Sequence, residues 1–141
     1  MTGMAETGAL RSPDEASSSM VWIVDDEPAS AELALDLCAA AGVTASVFAS
    51  PAPYLGALET NGAPRVLVLD WRLERELTAA LFMATRHRFP DLPVIYWTGS
   101  ASVALPSMIR ADAHAVVVSK ADGAQAFEEA LAWALRTSGK A

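Results

Sequence analysis

Four short runs of consecutive apolar residues recur along the chain and stop at polar residues, and a fifth run is weaker. Four runs show no alternation of apolar and polar positions, which is typical of strands buried on both faces of a parallel sheet. The run at Thr44–Phe48 alternates more and favours a strand at or near a sheet edge. In chain order the predicted strands are Met20–Val24, Thr44–Phe48, Val66–Leu69, Val94–Trp97 and Ala115–Val118.

Segments with helical spacing of apolar residues fill the gaps between these runs. Pro28 suits the first turn of a helix and Gly42 suits its end, while Asn61-Gly62 ends the next helix. Pro106 would break a helix interior, so a short fourth helix is expected to begin near it after a longer loop. Apart from this short helix, the predicted helices are Pro28–Ala41, 51–60, 75–89 and about 122–137.

Strand and helix therefore alternate five times. This order predicts an α/β fold: a right-handed, doubly wound (βα)5 three-layer sandwich around a five-stranded parallel sheet. We expect residues 20–137 to form the domain, with a flexible N-terminal tail at 1–19 and a C-terminal tail at 138–141. In such sheets ligands bind at the carboxyl ends of the strands, near the point where the strand order reverses.

Composition narrows the class of protein further. Of the 141 residues 52% are hydrophobic and 19% charged, as in compact globular proteins, and the net charge is −7 with a pI of about 4.7. An acidic chain gives no general electrostatic support for nucleic-acid binding. The single cysteine, Cys38, excludes an intrachain disulfide. No signal peptide and no apolar stretch of the roughly 20 residues that a membrane span needs are seen, so a cytoplasmic protein is expected.

The polar residues that end the strands carry the candidate chemistry. These strand-end residues are Asp25, Asp26, Asp70, Thr98 and Lys120. Three carboxylates in one crevice repel one another, so one of them must be protonated or a cation must neutralise them. Oxygen ligands together with room for water suit Mg²⁺. A carboxylate can also act as a nucleophile toward phosphorus, provided that positive charge and hydrogen-bond donors surround the transferred group.

This set of strand-end residues resembles the response-regulator receiver domains of two-component signal transduction, the CheY-like superfamily, whose fold is flavodoxin-like. That family has an acidic pair after the first strand, Asp after the third, Thr or Ser after the fourth and Lys after the fifth. The separations along this chain are similar, and the match covers residues 21–137. Because these five residues follow four different predicted strands, each at the same end, the resemblance is specific.

The resemblance implies a role for each matching position. Asp70 would accept a phosphoryl group from the phosphohistidine of a sensor histidine kinase or phosphotransfer protein. The domain would catalyse its own phosphorylation and dephosphorylation rather than act as an enzyme on a separate substrate. Output would pass through protein contact. The implied Mg²⁺ ligands are Asp26 and Asp70 directly, Asp25 chiefly through water, and the backbone carbonyl of Arg72; the implied phosphoryl-binding groups are Thr98, Gly99 and Lys120.

The chain departs from the family pattern at three places. The segment Trp71–Arg75 after the acceptor position lacks the usual Pro and Gly, and Ala121 stands where Pro usually follows Lys120. Val117 occupies the position of a switching Tyr or Phe, three residues before Lys120. Since Val cannot make the rotation of that ring, we expect Gly99–Leu105 and the short fourth helix to rearrange instead.

Other interpretations remain open from the sequence. The nearest is a degenerate receiver that acts as a phosphorylation-independent interaction or dimerisation module. A haloacid-dehalogenase-type phosphohydrolase would need a second Asp where Arg72 stands, and an FMN-binding flavodoxin-like protein would need a less acidic first loop. Trp133 lies off the predicted core face of the last helix. It is either an anchor of a homodimer formed by the fourth helix, fifth strand and last helix, or partly packed.

Overall fold

Five parallel strands form one sheet in the part of the chain that the structure, a computed structural model, describes (residues 20–70, 75–99, 109 and 111–138). The strands lie in the order β2-β1-β3-β4-β5. This confirms the predicted doubly wound parallel sheet and the edge position of the second strand. The strands are β1 (Val21–Val24), β2 (Ala45–Phe48), β3 (Val66–Leu69), β4 (Val94–Thr98) and β5 (Ala115–Ser119).

Four α-helices lie within the described residues and follow the predicted pattern. They are α1 (Pro28–Ala40), α2 (Pro51–Asn61), α3 (Arg75–Arg88) and α4 (Gly123–Ser138), and a 3-10 turn (Lys120–Asp122) joins β5 to α4. Pro28 stands in the first turn of α1, as expected. Gly42 follows that helix with φ near +80°, a backbone conformation that glycine adopts without steric cost. The short helix predicted near Pro106 falls mostly on residues outside the described ones.

Alternate residues of each strand face opposite layers, which places a hydrophobic cluster on each side of the sheet. One cluster joins the sheet to α1 and α4, and it includes Ile23, Trp97 and Phe127. The other joins the sheet to α2 and α3, and it includes Trp22 and Tyr96. Trp22 and Trp97 are therefore core residues, as the sequence predicts. Helices on both faces leave the carboxyl edge of the sheet open as the place for polar side chains.

Several positions that the sequence analysis names lie within the described residues. Trp133 is half-buried and packs against the cluster of α1 and α4, so partial packing is the arrangement observed: the broad indole ring reaches core neighbours from an off-centre position on α4. Val117 is 42% exposed, because β5 is also an edge strand. The described backbone contains no cis peptide bond, so the Lys120–Ala121 bond is trans. No helix of the described residues is long and apolar enough to cross a membrane.

Candidate functional site

The ends of β1 and β3 bring two acidic side chains together at the reversal of the strand order. The hydrogen-bond ladder runs on past both strands: the Asp70 N–H donates to the Val24 carbonyl at 3.0 Å, and the Asp25 N–H donates to the Phe48 carbonyl at 3.1 Å. These bonds hold Asp25 and Asp70 at the same level of neighbouring strands. The fold thus places both carboxylates in the crevice where doubly wound sheets bind ligands.

Three carboxylates converge at this point. One oxygen from each of Asp25, Asp26 and Asp70 lies within 4.8 Å of the other two. Asp25 and Asp70 are buried, with 3% and 2% of their surface exposed, whereas Asp26 is exposed. Oxygen ligands at this spacing, with one side open to water, fit a hard divalent cation such as Mg²⁺.

The electrostatics of Asp25 are consistent with a cation site. Burial raises the pKa of the Asp25 carboxyl from 3.8 to about 7. The Asp70 carboxylate contributes to this rise in pKa. The backbone N–H of Glu27, 2.9 Å from Oδ1, and the charge of Lys120 oppose it, and about 7 is the net value. Without a cation, Asp25 therefore holds a proton well above the ordinary range of an aspartate.

The ammonium group of Lys120 faces the carboxylates from the other side of the site. Its Nζ lies 3.7 Å from Asp70 Oδ1 and 3.5 Å from Asp25 Oδ2, and the side chain is only 15% exposed. The first residue of the 3-10 turn carries this side chain. Ser119 fixes that turn, because its hydroxyl accepts a hydrogen bond from the Ala121 N–H at 3.1 Å.

The remaining predicted site residues occupy the same edge of the sheet or fall outside the described part. Thr98 ends β4, is 1% exposed and pairs in register with Ser119 of β5, while Gly99 is exposed directly after it. Arg72, whose backbone carbonyl was predicted as a cation ligand, lies outside the described residues. All five strand-end residues that the sequence predicts for the site stand at the carboxyl edge of the sheet.

Two contacts of Lys120 were not anticipated from the sequence. The Ser30 hydroxyl lies 2.8 Å from Nζ, and the indole ring of Trp97 lies beneath the ammonium, 5.3 Å from it to the ring centroid. Ser30 stands in the first turn of α1, four residues after Asp26, and this position is the only signal that could have suggested a site role. Trp97 was assigned only to the core.

Comparison with solved structures shows which proteins have a similar fold. The receiver domain of nitrogen regulatory protein C in its apo form is 28% identical, with a TM-score of 0.69 over 86% of this chain and 95% of that chain. The receiver domain of NtrX from Brucella abortus is 25% identical, with a TM-score of 0.72 over 83% of this chain and 98% of that one.

A response regulator receiver domain protein (CheY-like) from Methanospirillum hungatei JF-1 is 21% identical, with a TM-score of 0.72 over 85% of this chain and 95% of its own. No protein-family model and no curated protein matches the sequence. The structural neighbours are response-regulator receiver domains, and this chain has their CheY-like, flavodoxin-type fold.

Proposed function

We propose that this chain is the phosphoacceptor receiver of a two-component phosphorelay, in which Asp70 takes a phosphoryl group from the phosphohistidine of a sensor histidine kinase or phosphotransfer protein. One observation carries the proposal: the Lys120 ammonium lies 3.7 Å from Asp70, and Asp70 belongs to a group of three carboxylates whose oxygens lie within 4.8 Å of one another. Phosphoryl transfer to a protein requires a nucleophile with positive charge beside it. Here the Asp70 carboxylate would be the nucleophile, and a bound cation and Lys120 would supply the positive charge.

In the proposed reaction a carboxylate oxygen of Asp70 attacks phosphorus. A phosphorus–oxygen bond forms, and the bond between phosphorus and the donor imidazole nitrogen breaks, leaving its electron pair on that nitrogen. Lys120 and Thr98 stand at the same edge of the sheet and would donate hydrogen bonds to the phosphoryl oxygens. Asp25, Asp26 and Asp70 would hold the Mg²⁺, which supplies positive charge that offsets the charge of the phosphoryl oxygens.

The reverse step and the output belong to the same proposal. Hydrolysis would break the phosphorus–oxygen bond at Asp70 and release phosphate, so the domain would catalyse only its own modification. Output would pass by contact with a protein partner, in the cytoplasm, and a homodimer near Trp133 is one candidate for that contact. Trp133 is half-buried, so its exposed part alone is available to a partner.

The test is intact mass after incubation with acetyl phosphate. Wild-type protein with Mg²⁺ is expected to gain one phosphoryl group, and both Asp70→Asn and wild-type protein in EDTA are expected to gain none. Asp36→Asn, an exposed α1 residue, is the matched control and should gain the group as wild type does. Addition of phosphoryl to Asp70→Asn at the wild-type level would refute Asp70 as the acceptor.

A second function is favoured by one observation. Val117 occupies the usual position of the switching aromatic residue and is 42% exposed on an edge strand, which suits a degenerate receiver that binds partners without phosphorylation. Mg²⁺ binding with no gain of mass would support this alternative. Turnover of a generic phosphate ester would support the phosphohydrolase interpretation instead, and a yellow purified protein would support a flavin binder.

A further inference from the structure

The Lys120 ammonium is held by two groups that the proposed reaction does not itself use. We propose that Ser30 and Trp97 are positioning residues for Lys120, which together aim its ammonium at the phosphoryl group on the acceptor carboxylate. The inference rests on the proposed function, since it assigns how the lysine of that same site is oriented. It is carried by the contacts that the ammonium makes with Ser30 and Trp97, away from Asp25 and Asp70.

Ser30 makes the shortest polar contact of Lys120 among the described residues. Its Oγ lies 2.8 Å from Nζ, whereas carboxylate oxygens of Asp25, Asp70 and Glu27 lie 3.5, 3.7 and 3.8 Å from Nζ. The same hydroxyl donates to Glu27 Oε1 at 3.0 Å, so its lone pairs are directed toward the ammonium. A hydrogen bond to a charged donor is stronger and more directional than one between neutral groups.

Trp97 supports the ammonium from the side of the sheet. Lys120 follows the edge strand β5, and its side chain must pass over the end of β4 to approach Asp70 and Asp25. Trp97 lies on that route: its ring is 5.3 Å from Nζ, and Phe127 of α4 packs against it with centroids 4.8 Å apart. The indole is 2% exposed and cannot swing away, so it offers a fixed, electron-rich face to the cation.

The geometry of an ammonium group explains what this support achieves. Lys120 carries three N–H donors and no acceptor. Ser30 accepts a hydrogen bond from one of these donors, and the Trp97 ring covers the side of the ammonium that faces the sheet. Together these contacts fix the rotation of the ammonium group. The two remaining donors then point toward Asp25 and Asp70, where the oxygens of a transferred phosphoryl group would lie. A lysine oriented beforehand loses less entropy when the charge of the transition state develops.

Ser30 is tested by the rate constant for phosphorylation of Asp70 by acetyl phosphate at saturating Mg²⁺. Ser30→Ala is expected to lower it roughly fivefold to tenfold, as loss of a hydrogen bond to a charged group implies. Ser30→Thr keeps the hydroxyl and should stay within about twofold of wild type. Ser50→Ala is the matched control, because Ser50 stands at the start of α2 on the same edge and makes no capping bond with its side chain.

Trp97 is tested with the same measurement. Trp97→Leu is expected to lower the rate constant roughly fivefold, while Trp97→Phe, which keeps an aromatic face, should lower it about twofold. Trp22→Phe is the matched control, since Trp22 is equally buried but faces α2 and α3. Magnesium affinity and melting temperature, measured on each variant, separate positioning from damage to the fold: Trp97→Phe and Ser30→Ala should leave the affinity unchanged.

A second readout does not depend on phosphorylation. In wild-type protein the ε-methylene protons of Lys120 should show an upfield ring-current shift in NMR spectra, which Trp97→Leu abolishes and Trp22→Phe preserves. If wild-type protein takes no phosphoryl group, the proposed function fails while this shift still tests the placement of Lys120. Unshifted ε protons in wild type, or equal rate constants for Ser30→Ala and Ser50→Ala, would overturn the inference.

Discussion

At the scale of single residues, the site buries neighbouring carboxylates, which makes their negative charge unfavourable in the metal-free protein. Asp25 is buried beside Asp70, and burial raises its pKa to about 7. Its pKa in the unfolded chain is near 3.8, so between these values the folded protein binds more protons than the unfolded one. The free energy of unfolding attributable to this group therefore falls as pH rises through that interval.

Asp25→Asn should accordingly stabilise the metal-free protein. In EDTA at pH 8 we expect a free energy of unfolding higher than that of wild type by at least about 1 kcal/mol, because a buried like-charge contact is removed. The gain should vanish near pH 4, where the wild-type carboxyl is protonated. Urea unfolding at several pH values measures both effects.

The same variant should gain less stability from Mg²⁺ than wild type does, since one carboxylate of the cation site is lost. Asp36→Asn, which changes an exposed carboxylate on α1, controls for net charge and should behave as wild type. Lower stability of Asp25→Asn in EDTA at pH 8 would contradict this account of the charge balance.

Some site residues were predictable from the sequence and others were not, for a physical reason. Asp25, Asp70 and Lys120 each end a strand, and parallel strands end at one edge, so their convergence follows from the apolar pattern alone. Ser30 and Trp97 were missed because their roles depend on the route of the Lys120 side chain across the sheet. No periodicity in the sequence encodes that route.

At the scale of elements, one arginine ties the end of α3 to the connections on either side of β4. Arg86 donates to both carboxylate oxygens of Asp112, at 2.8 and 3.1 Å, and to the carbonyls of Phe89 and Leu92, at 3.0 and 2.8 Å. Burial opposes ionisation of Asp112, but the hydrogen bonds from Arg86 and from the His114 N–H outweigh it and lower its pKa. The pair thus anchors the segment that enters β5.

Arg86→Ala should lower the free energy of unfolding by about 2–4 kcal/mol at pH 7, because it leaves a half-buried carboxylate and two carbonyls without their donor. Arg88→Ala on the same helix is the control. Its guanidinium is exposed, with a weak 3.5 Å contact to the Glu59 carbonyl, and its loss should cost about 0.5 kcal/mol.

The difference between Arg86→Ala and wild type should narrow in acid. A carboxylate with a lowered pKa stabilises the fold above the ordinary pKa of about 4 and loses that contribution as pH falls through its folded value. Thermal unfolding of the three proteins between pH 3 and 7 measures this, and equal destabilisation by both arginine variants would contradict the anchoring role.

Element boundaries were predicted closely because the apolar runs end abruptly. Each predicted strand agrees with the structure to within one residue at either end, and Gly42 and Gly62 follow α1 and α2 as expected. The 3-10 turn at Lys120–Asp122 was not predicted, since it depends on the Ser119 hydroxyl and not on hydrophobic spacing. The exposure of Val117 was also missed, because a continuous apolar run does not reveal that β5 has no neighbour on one side.

At the scale of the whole molecule, the fold is retained in structures whose sequences are 21–28% identical to this chain. In this chain the apolar pattern of the strands and the polar residues that end them were enough to predict the doubly wound sheet and its open edge. The loop after β3, where the sequence departs from the receiver pattern, lies outside the described residues, and so does most of the segment after β4, where a rearrangement is expected. The predictions made for Arg72 and for rearrangement of residues 99–105 therefore stay predictions.

The central claim is that Asp70 is the residue that becomes phosphorylated. Borohydride reduces an acyl phosphate to an alcohol, so treatment after incubation with acetyl phosphate and Mg²⁺ should convert Asp70 to homoserine. Tandem mass spectrometry of the proteolysed protein locates that change. The predicted result is homoserine at position 70 in wild-type protein incubated with Mg²⁺, and no homoserine in the sample kept in EDTA. Homoserine at Asp25 or Asp26, or its absence from a protein that binds Mg²⁺, would contradict the account.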